Sequence, residues 1–284
     1  MHRMLALVVS LSLLLVTPVV VAAQATPTTA DPTISVAGFG EISDLPAGAG
    51  TLRLLRVTVQ PGGALPWNVG REQATAGAVH EGEVALHFES EGLRQPYSGD
   101  PIAIAPGTVV RAVATDGFYA GKDTTFTILN VSSAPAVVFL GTVEPNAWAP
   151  AQPVNRFINV DLVQSELLGT SVIPELLSGP SAILVARVVY EPGQGDAEAN
   201  PSGGPAIAYV ETGEFTYGLE SGTVELTTAA AGATPVANQT VAPGSTVTLH
   251  KGDGVFEQDA VTLIRNDGAD PAAAIAVVLV PTVN

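Results

Sequence analysis

The sequence predicts an all-β protein made of two tandem barrels, and three observations carry that prediction. Helical periodicity is nearly absent along the 284 residues. Short runs rich in Val, Ile, Leu and Thr recur instead, with Gly and Pro between them at the roughly 8–12-residue spacing of sandwiches and barrels. Finally, a set of landmarks in the first half returns in the same order in the second.

The elements follow in chain order. MHRMLALVVSLSLLLVTPVVVAAQATP places Arg3 before an apolar run and ends on the small residues Val21-Ala22-Ala23, the layout of a cleavable secretory signal. Residues 1–23 are expected to be that signal, and the protein to be secreted or otherwise extracytoplasmic. The apolar run is short for a roughly 20-residue span and carries Pro18 late, so no membrane span is expected after cleavage. Residues 24–32 are rich in Thr, Pro and Ala and read as a disordered leader. An N-terminal barrel is expected over 33–145, from runs such as LRLLRVTVQ, PIAIAPGTVV, FTILNV and AVVFLGTV. A linker over 146–159 precedes a C-terminal barrel over 160–284, with AILVARVVY, STVTLH, AVTLIRN and AIAVVLVP. Only VDLVQSELLG, at 160–169, has the spacing of a short helix.

The landmarks define an internal repeat. RVTVQPG at 56–62 matches RVVYEPG at 187–193, and HEGE at 80–83 matches ETGE at 211–214, both at an offset of 131 residues. APG at 105–107 and DG at 116–117 return at an offset of 137, and NVSSAP at 130–135 returns as NDGADP at an offset of 136. The change in offset places a loop insertion in the second half, with TTAAAGATPVANQ as its location. The chain is a duplicated β-domain.

Each half has a strand ending in Pro-Gly, a strand entering a Gly-Glu or Glu-x-Gly-Glu turn, a Pro-Gly turn, an Asp-Gly turn and a closing strand with Asn and Pro. These landmarks resemble those of the cupin superfamily, and the chain beyond the leader resembles a secreted bicupin. The resemblance implies two double-stranded β-helix barrels of jelly-roll type, each with an internal pocket. It also implies a metal motif: Gly, five residues, His-x-His, three or four residues, Glu, six residues, Gly, with a last His four residues before an Asn. Ligands two apart on a strand face one cavity, and imidazole with carboxylate suits a catalytic transition metal.

Gly63 and Gly82 frame that motif here with the spacing intact, but its ligand positions hold Val69, Arg71 and Thr75, and the last one holds Phe126. In the second half the same positions are Asn200, Ser202, Ala206 and Thr262. None is an imidazole or a carboxylate, so metal sites emptied in both barrels are expected, with no cofactor. These residues remain candidates for lining a pocket. Arg71 is the most informative, because a buried guanidinium demands an acid or an anionic ligand. Tyr209 and Tyr217 are candidates to line the second pocket, whose hydroxyls and amides suit a neutral polar molecule such as a sugar.

Other chemistry finds little support. The chain has four histidines. His2 leaves with the signal, His80 and His87 flank one turn and read as structural or surface residues, and His250 reads as exposed. GDAEAN (195–200) and RNDGAD (265–270) read as solvated turns rather than calcium loops. No cysteine is present, which removes thiol catalysis and disulfides; 46% hydrophobic residues must supply the stability. No nucleophile elbow, P-loop or dinucleotide fingerprint occurs. With 27 acidic against 11 basic residues, the net charge of −16 repels phosphate backbones and excludes nucleic acid as a partner. Arg56 and Arg187 occupy equivalent places and are expected to cap a strand or cross the contact between barrels. NVS at 130–132 and NQT at 238–240 fit the glycosylation pattern.

The expected function is that of a non-catalytic, structural or partner-interaction protein, with association through the barrel sheets into a homo-oligomer as one expectation. Binding of a small polar or anionic molecule in a barrel pocket is the alternative, and a metal-dependent enzyme the third. A pocket lined by Arg71, or by Asn200 and Ser202, would favour binding. Interiors filled by Phe126, Leu263 and their neighbours would favour the structural role.

Overall fold

The computed structural model describes residues 32–45, 47–69, 74–96, 100–145, 161–177, 179–228 and 239–282. Among them every regular element is a strand, so the chain is all-β. The expected signal, residues 24–31 of the leader and the expected linker lie outside the described residues. The first half contributes β1 (Thr33–Leu45), β2 (Gly50–Val59), β3 (Ala64–Asn68), β4 (Ala74–Glu81), β5 (Glu83–Phe88), β6 (Gly92–Gln95), β7 (Ile102–Ile104), β8 (Thr108–Val113), β9 (Gly117–Ala120), β10 (Thr125–Leu129) and β11 (Ala136–Pro145). The second half contributes β12 (Val163–Ile173), β13 (Gly179–Tyr190), β14 (Asn200–Pro201), β15 (Ala206–Thr212), β16 (Glu214–Thr227), β17 (Gln239–Val241), β18 (Ser245–His250), β19 (Gly254–Arg265) and β20 (Ala272–Pro281).

The first barrel is a seven-stranded sheet, ordered β12-β2-β11-β4-β9-β6-β7, facing a four-stranded sheet, β3-β10-β5-β8. The second barrel is built from one nine-stranded sheet, β1-β13-β20-β15-β19-β16-β17, with β14 on β19 and β18 on β16. The sheets do not respect the sequence halves. β1 from the first half pairs with β13, and β12 from the second half pairs with β2. The exchange is reciprocal in detail: both crossing strands carry a bulge at the same point of the repeat, between Val36 and Gly38 and between Leu167 and Gly169.

The helix expected at 160–169 is instead the start of β12. The open edge of β2 supplies a full ladder for this segment, and the bulge turns Leu168 into the core between the barrels. That extra residue breaks the two-residue alternation, so the apolar spacing imitates a helical one.

Alternation on β2 shows how the cores are divided. Leu55, Val57 and Val59 point into the first barrel, among Leu65, Trp67, Phe88, Phe118 and Phe126. Leu52 and Leu54 point the other way, into a second core shared by both halves, with Phe139, Ile183, Val185, Ile207 and Val277. A third core, including Tyr190, Phe215, Tyr217 and Leu249, fills the second barrel. Two faces of β2 and β13 are thus covered, which is why both read as nearly continuous apolar runs.

Candidate functional site

The even-numbered face of β2 and the equivalent face of β13 lie in the inter-barrel core until both end in arginine. Leu52 and Leu54 are followed by Arg56, and Ile183 and Val185 by Arg187. There the apolar contact opens into a cleft of about 360 Å³, lined from the first half by Arg56, Thr58, His80, Glu81, Val137 and Phe139. Gln164 and Glu166 on β12, Arg187, Glu211 and Thr212, and Lys251 complete the lining.

Two bulges aim side chains into this cleft. β4 pairs with β11 through Glu81 and Val79, passing over His80. β15 pairs with β20 through Thr212 and Val210, passing over Glu211. His80 and Glu211 are equivalent positions of the repeat, so the same local kink occurs twice about the pseudo-twofold axis. A bulge leaves one residue unpaired and turns its side chain out of the alternating pattern. Here the two turned side chains meet: His80 Nε2 lies 3.5 Å from Glu211 Oε1 and 3.8 Å from Glu81 Oε1. The imidazole also packs edge-on against Phe139, with centroids 5.2 Å apart. Arg187 donates through Nε to Glu211 at 2.7 Å, and Arg56 pairs with Glu166.

The barrel interiors present different surroundings. In the first, Val69 is buried in the core and its amide donates to the Thr124 carbonyl at 2.8 Å. Thr75 is fully buried, and its hydroxyl accepts the Trp67 Nε1–H at 3.2 Å. Phe126 is fully buried, stacked on Phe88 at 5.4 Å and edge-on to Phe118 at 5.5 Å. Arg71 lies outside the described residues. Val69, Thr75 and Phe126 therefore share one filled interior.

In the second barrel, Asn200 pairs with Thr262 between β14 and β19. Asn200 is exposed and donates to the Glu198 carbonyl at 3.1 Å. The Ser202 hydroxyl accepts from the Ala260 amide at 3.3 Å, Ala206 is buried at the start of β15, and Leu263 is half-buried. Tyr209, expected in this pocket, packs on the inter-barrel core instead and hydrogen-bonds Arg56. The reason is parity: it lies two residues from Ile207, on the outward face of β15.

Sequence reasoning passed over two carboxylates here. Tyr217 donates to Glu257 Oε1 at 2.7 Å, and Thr262 also hydrogen-bonds Tyr217. Tyr190 donates to Asp196 Oδ1 at 3.0 Å, and the Ile264 amide donates to Asp196 Oδ2 at 2.9 Å. Burial raises the carboxyl of Glu257 above its usual range, and the Asp196 charge adds to the effect while Tyr217 opposes it. Asp196 is raised by burial too, against the hydrogen bonds it accepts. Asp196 is thus an inward-turned anchor within a turn whose Ala197, Glu198 and Asn200 are exposed. Among the described residues, no group of three or more His, Asp or Glu side chains comes together in a way that could hold a metal ion.

His87 lies on β5 opposite Thr127 and Val109, away from the cleft, and His250 is exposed. Asn130 is 1% exposed. Its amide donates at 2.7 Å to the carbonyls of both Val59 and Ala134, so its side chain is closed to glycan attachment in the folded chain. Asn238 lies outside the described residues.

No protein-family model matches the chain, and no curated protein matches it. Solved structures that are similar to it include a cupin barrel protein, an oxalate decarboxylase and an 11S globulin. Oxalate decarboxylase from Lactobacillus farciminis is 13% identical, with 94% of this chain and 88% of that one covered and a TM-score of 0.47. Procruciferin, an 11S globulin from Brassica napus, is 9% identical over 86% of this chain and 84% of that one, with a TM-score of 0.44. A cupin 2 conserved barrel domain protein from Leptotrichia buccalis is 8% identical over 91% of both chains, with a TM-score of 0.35. At such identities the likeness is one of fold and assigns no activity. The all-β architecture, with one strand exchanged in each direction between the two halves, stands on the strand pairing itself.

Proposed function

We propose that the protein is an exported, non-catalytic bicupin that works as a structural or partner-interaction protein, with its barrel interiors given over to stability. The observation that carries this reading is Phe126. At the place where the cupin resemblance calls for the last metal-binding imidazole, a ring with no donor atom packs between two other rings, stacked on Phe88 and edge-on to Phe118, in a filled core. Thr75, at another ligand position, already accepts a hydrogen bond from Trp67. A lone hydroxyl beside aromatic rings does not replace imidazole and carboxylate for a transition metal. The net charge of −16 supports a soluble life outside the cell and disfavours nucleic acid.

A second reading, binding of a small polar molecule in the second barrel, is favoured by the half-buried Asp196 and Glu257 beside Asn200 and Thr262. The test of the first reading is metal content. Protein purified without a histidine tag and dialysed against mixed divalent metals is expected to retain no stoichiometric transition metal. One bound equivalent per chain would overturn the non-catalytic reading.

A further inference from the structure

We propose that the cleft between the barrels binds a small zwitterion, an amino acid or short peptide whose carboxylate faces the arginines and whose ammonium faces the glutamates. The cavity, at about 360 Å³, lies within the size range of small-ligand sites. Its charges are mixed. Arg56 pairs with Glu166 and Arg187 with Glu211, and Lys251, Glu81 and His80 complete the ionisable lining. A dianion would meet three carboxylates and a dication three fixed positive charges. An uncharged polyol would displace water from these ions without offering a countercharge, which is costly. A zwitterion complements both sets at once.

Geometry supports the same choice. Glu211 engages Arg187 through Nε, and the Arg187 side chain, which lines the cleft, stays 38% exposed, so its guanidinium keeps accessible surface to offer a carboxylate. Arg56, its repeat equivalent, also lines the cleft and is 38% exposed. Glu81, 67% exposed, offers a carboxylate to an ammonium group. Val137 and Phe139 give the floor an apolar strip against which an aliphatic side chain can lie. The two bulges that deliver His80 and Glu211 interrupt otherwise regular ladders at one spot, as bulges beside functional sites do.

Titration calorimetry of the purified protein with L-alanyl-L-alanine tests this. Saturable binding is expected, with N-acetyl-alanylalanine and alanylalanine amide, each lacking one charge, at least tenfold weaker and glucose silent. Arg187→Gln and Glu211→Gln should each weaken dipeptide binding tenfold or more with an unchanged far-ultraviolet spectrum. If either fails to fold, Lys251→Gln on its exposed turn should weaken binding severalfold. No saturable heat with the dipeptide would overturn the proposal. So would equal binding of a blocked dipeptide or glucose, or affinity unmoved by these substitutions.

Discussion

Glu257 sits within the second barrel with its carboxyl raised above the usual range by burial. A carboxyl whose folded pKa exceeds its unfolded value adds stability below the unfolded pKa, about 4.3 for Glu, and loses it as pH rises through the folded value. Glu257→Gln keeps an oxygen for the Tyr217 hydroxyl and removes the ionisation. The variant is expected to be more stable than the parent at about pH 7 and no more stable at about pH 4, in line with that linkage. Urea unfolding of both proteins at the two pH values measures it, and a difference independent of pH would show that Glu257 does not ionise on this path. Single residues also account for the parts of the sequence that were easiest to read. Asn130 and Asn266, 136 positions apart, each tie their amide to two carbonyls, Val59 and Ala134 in one half, Tyr190 and Asp270 in the other. A buried amide held on both sides tolerates little substitution, and the landmark is visible for that reason. Glu257 and Asp196 carried no comparable signal, because what makes them unusual is the tyrosine hydroxyl that folding brings to each carboxylate.

Strand exchange is the main event at the scale of elements. β1 lies on β13 and at the same time crosses the first barrel, where Gly117 on β9 faces the Ala37 carbonyl and Gly38 faces Gly77. A side chain at position 117 would overlap the Ala37 backbone. Gly117→Ala is therefore expected to destabilise the protein by about 1–3 kcal/mol or more, as overpacking does. A urea midpoint within error of the parent would show that β1 is not seated there. The exchange also marks where sequence reading stops. Strand positions and turns depend on local residues, so the β runs and Pro-Gly turns could be placed. Which edge a strand joins depends on a partner more than 100 residues away: Glu166 meets Arg56 across β12 and β2. The bulges at His80, Glu211 and Leu168 compound this, since one extra residue reverses every inference from parity. The paired recurrence of Arg56 with Arg187, and of His80 with Glu211, was the available pointer to the cleft.

For the whole molecule, the consequence is cooperativity. Each barrel's sheet contains a strand from the other half, and a shared core with Leu52, Phe139, Ile183 and Val277 joins them. Neither barrel can open without stripping an edge from its neighbour. Scanning calorimetry should show one transition whose van't Hoff and calorimetric enthalpies agree, as for a single domain. Two resolved transitions would mean that the barrels melt separately in spite of the exchange.

The His80–Glu211 pair also records an order of events. Two identical subunits related by a true twofold axis would place the same residue at both positions, imidazole against imidazole or acid against acid. An imidazole facing a carboxylate at equivalent positions, 3.5 Å apart, requires two copies free to differ. The contact therefore arose only after the two copies of the repeat could vary independently, and the polarity of the cleft is younger than the duplication that made the two halves.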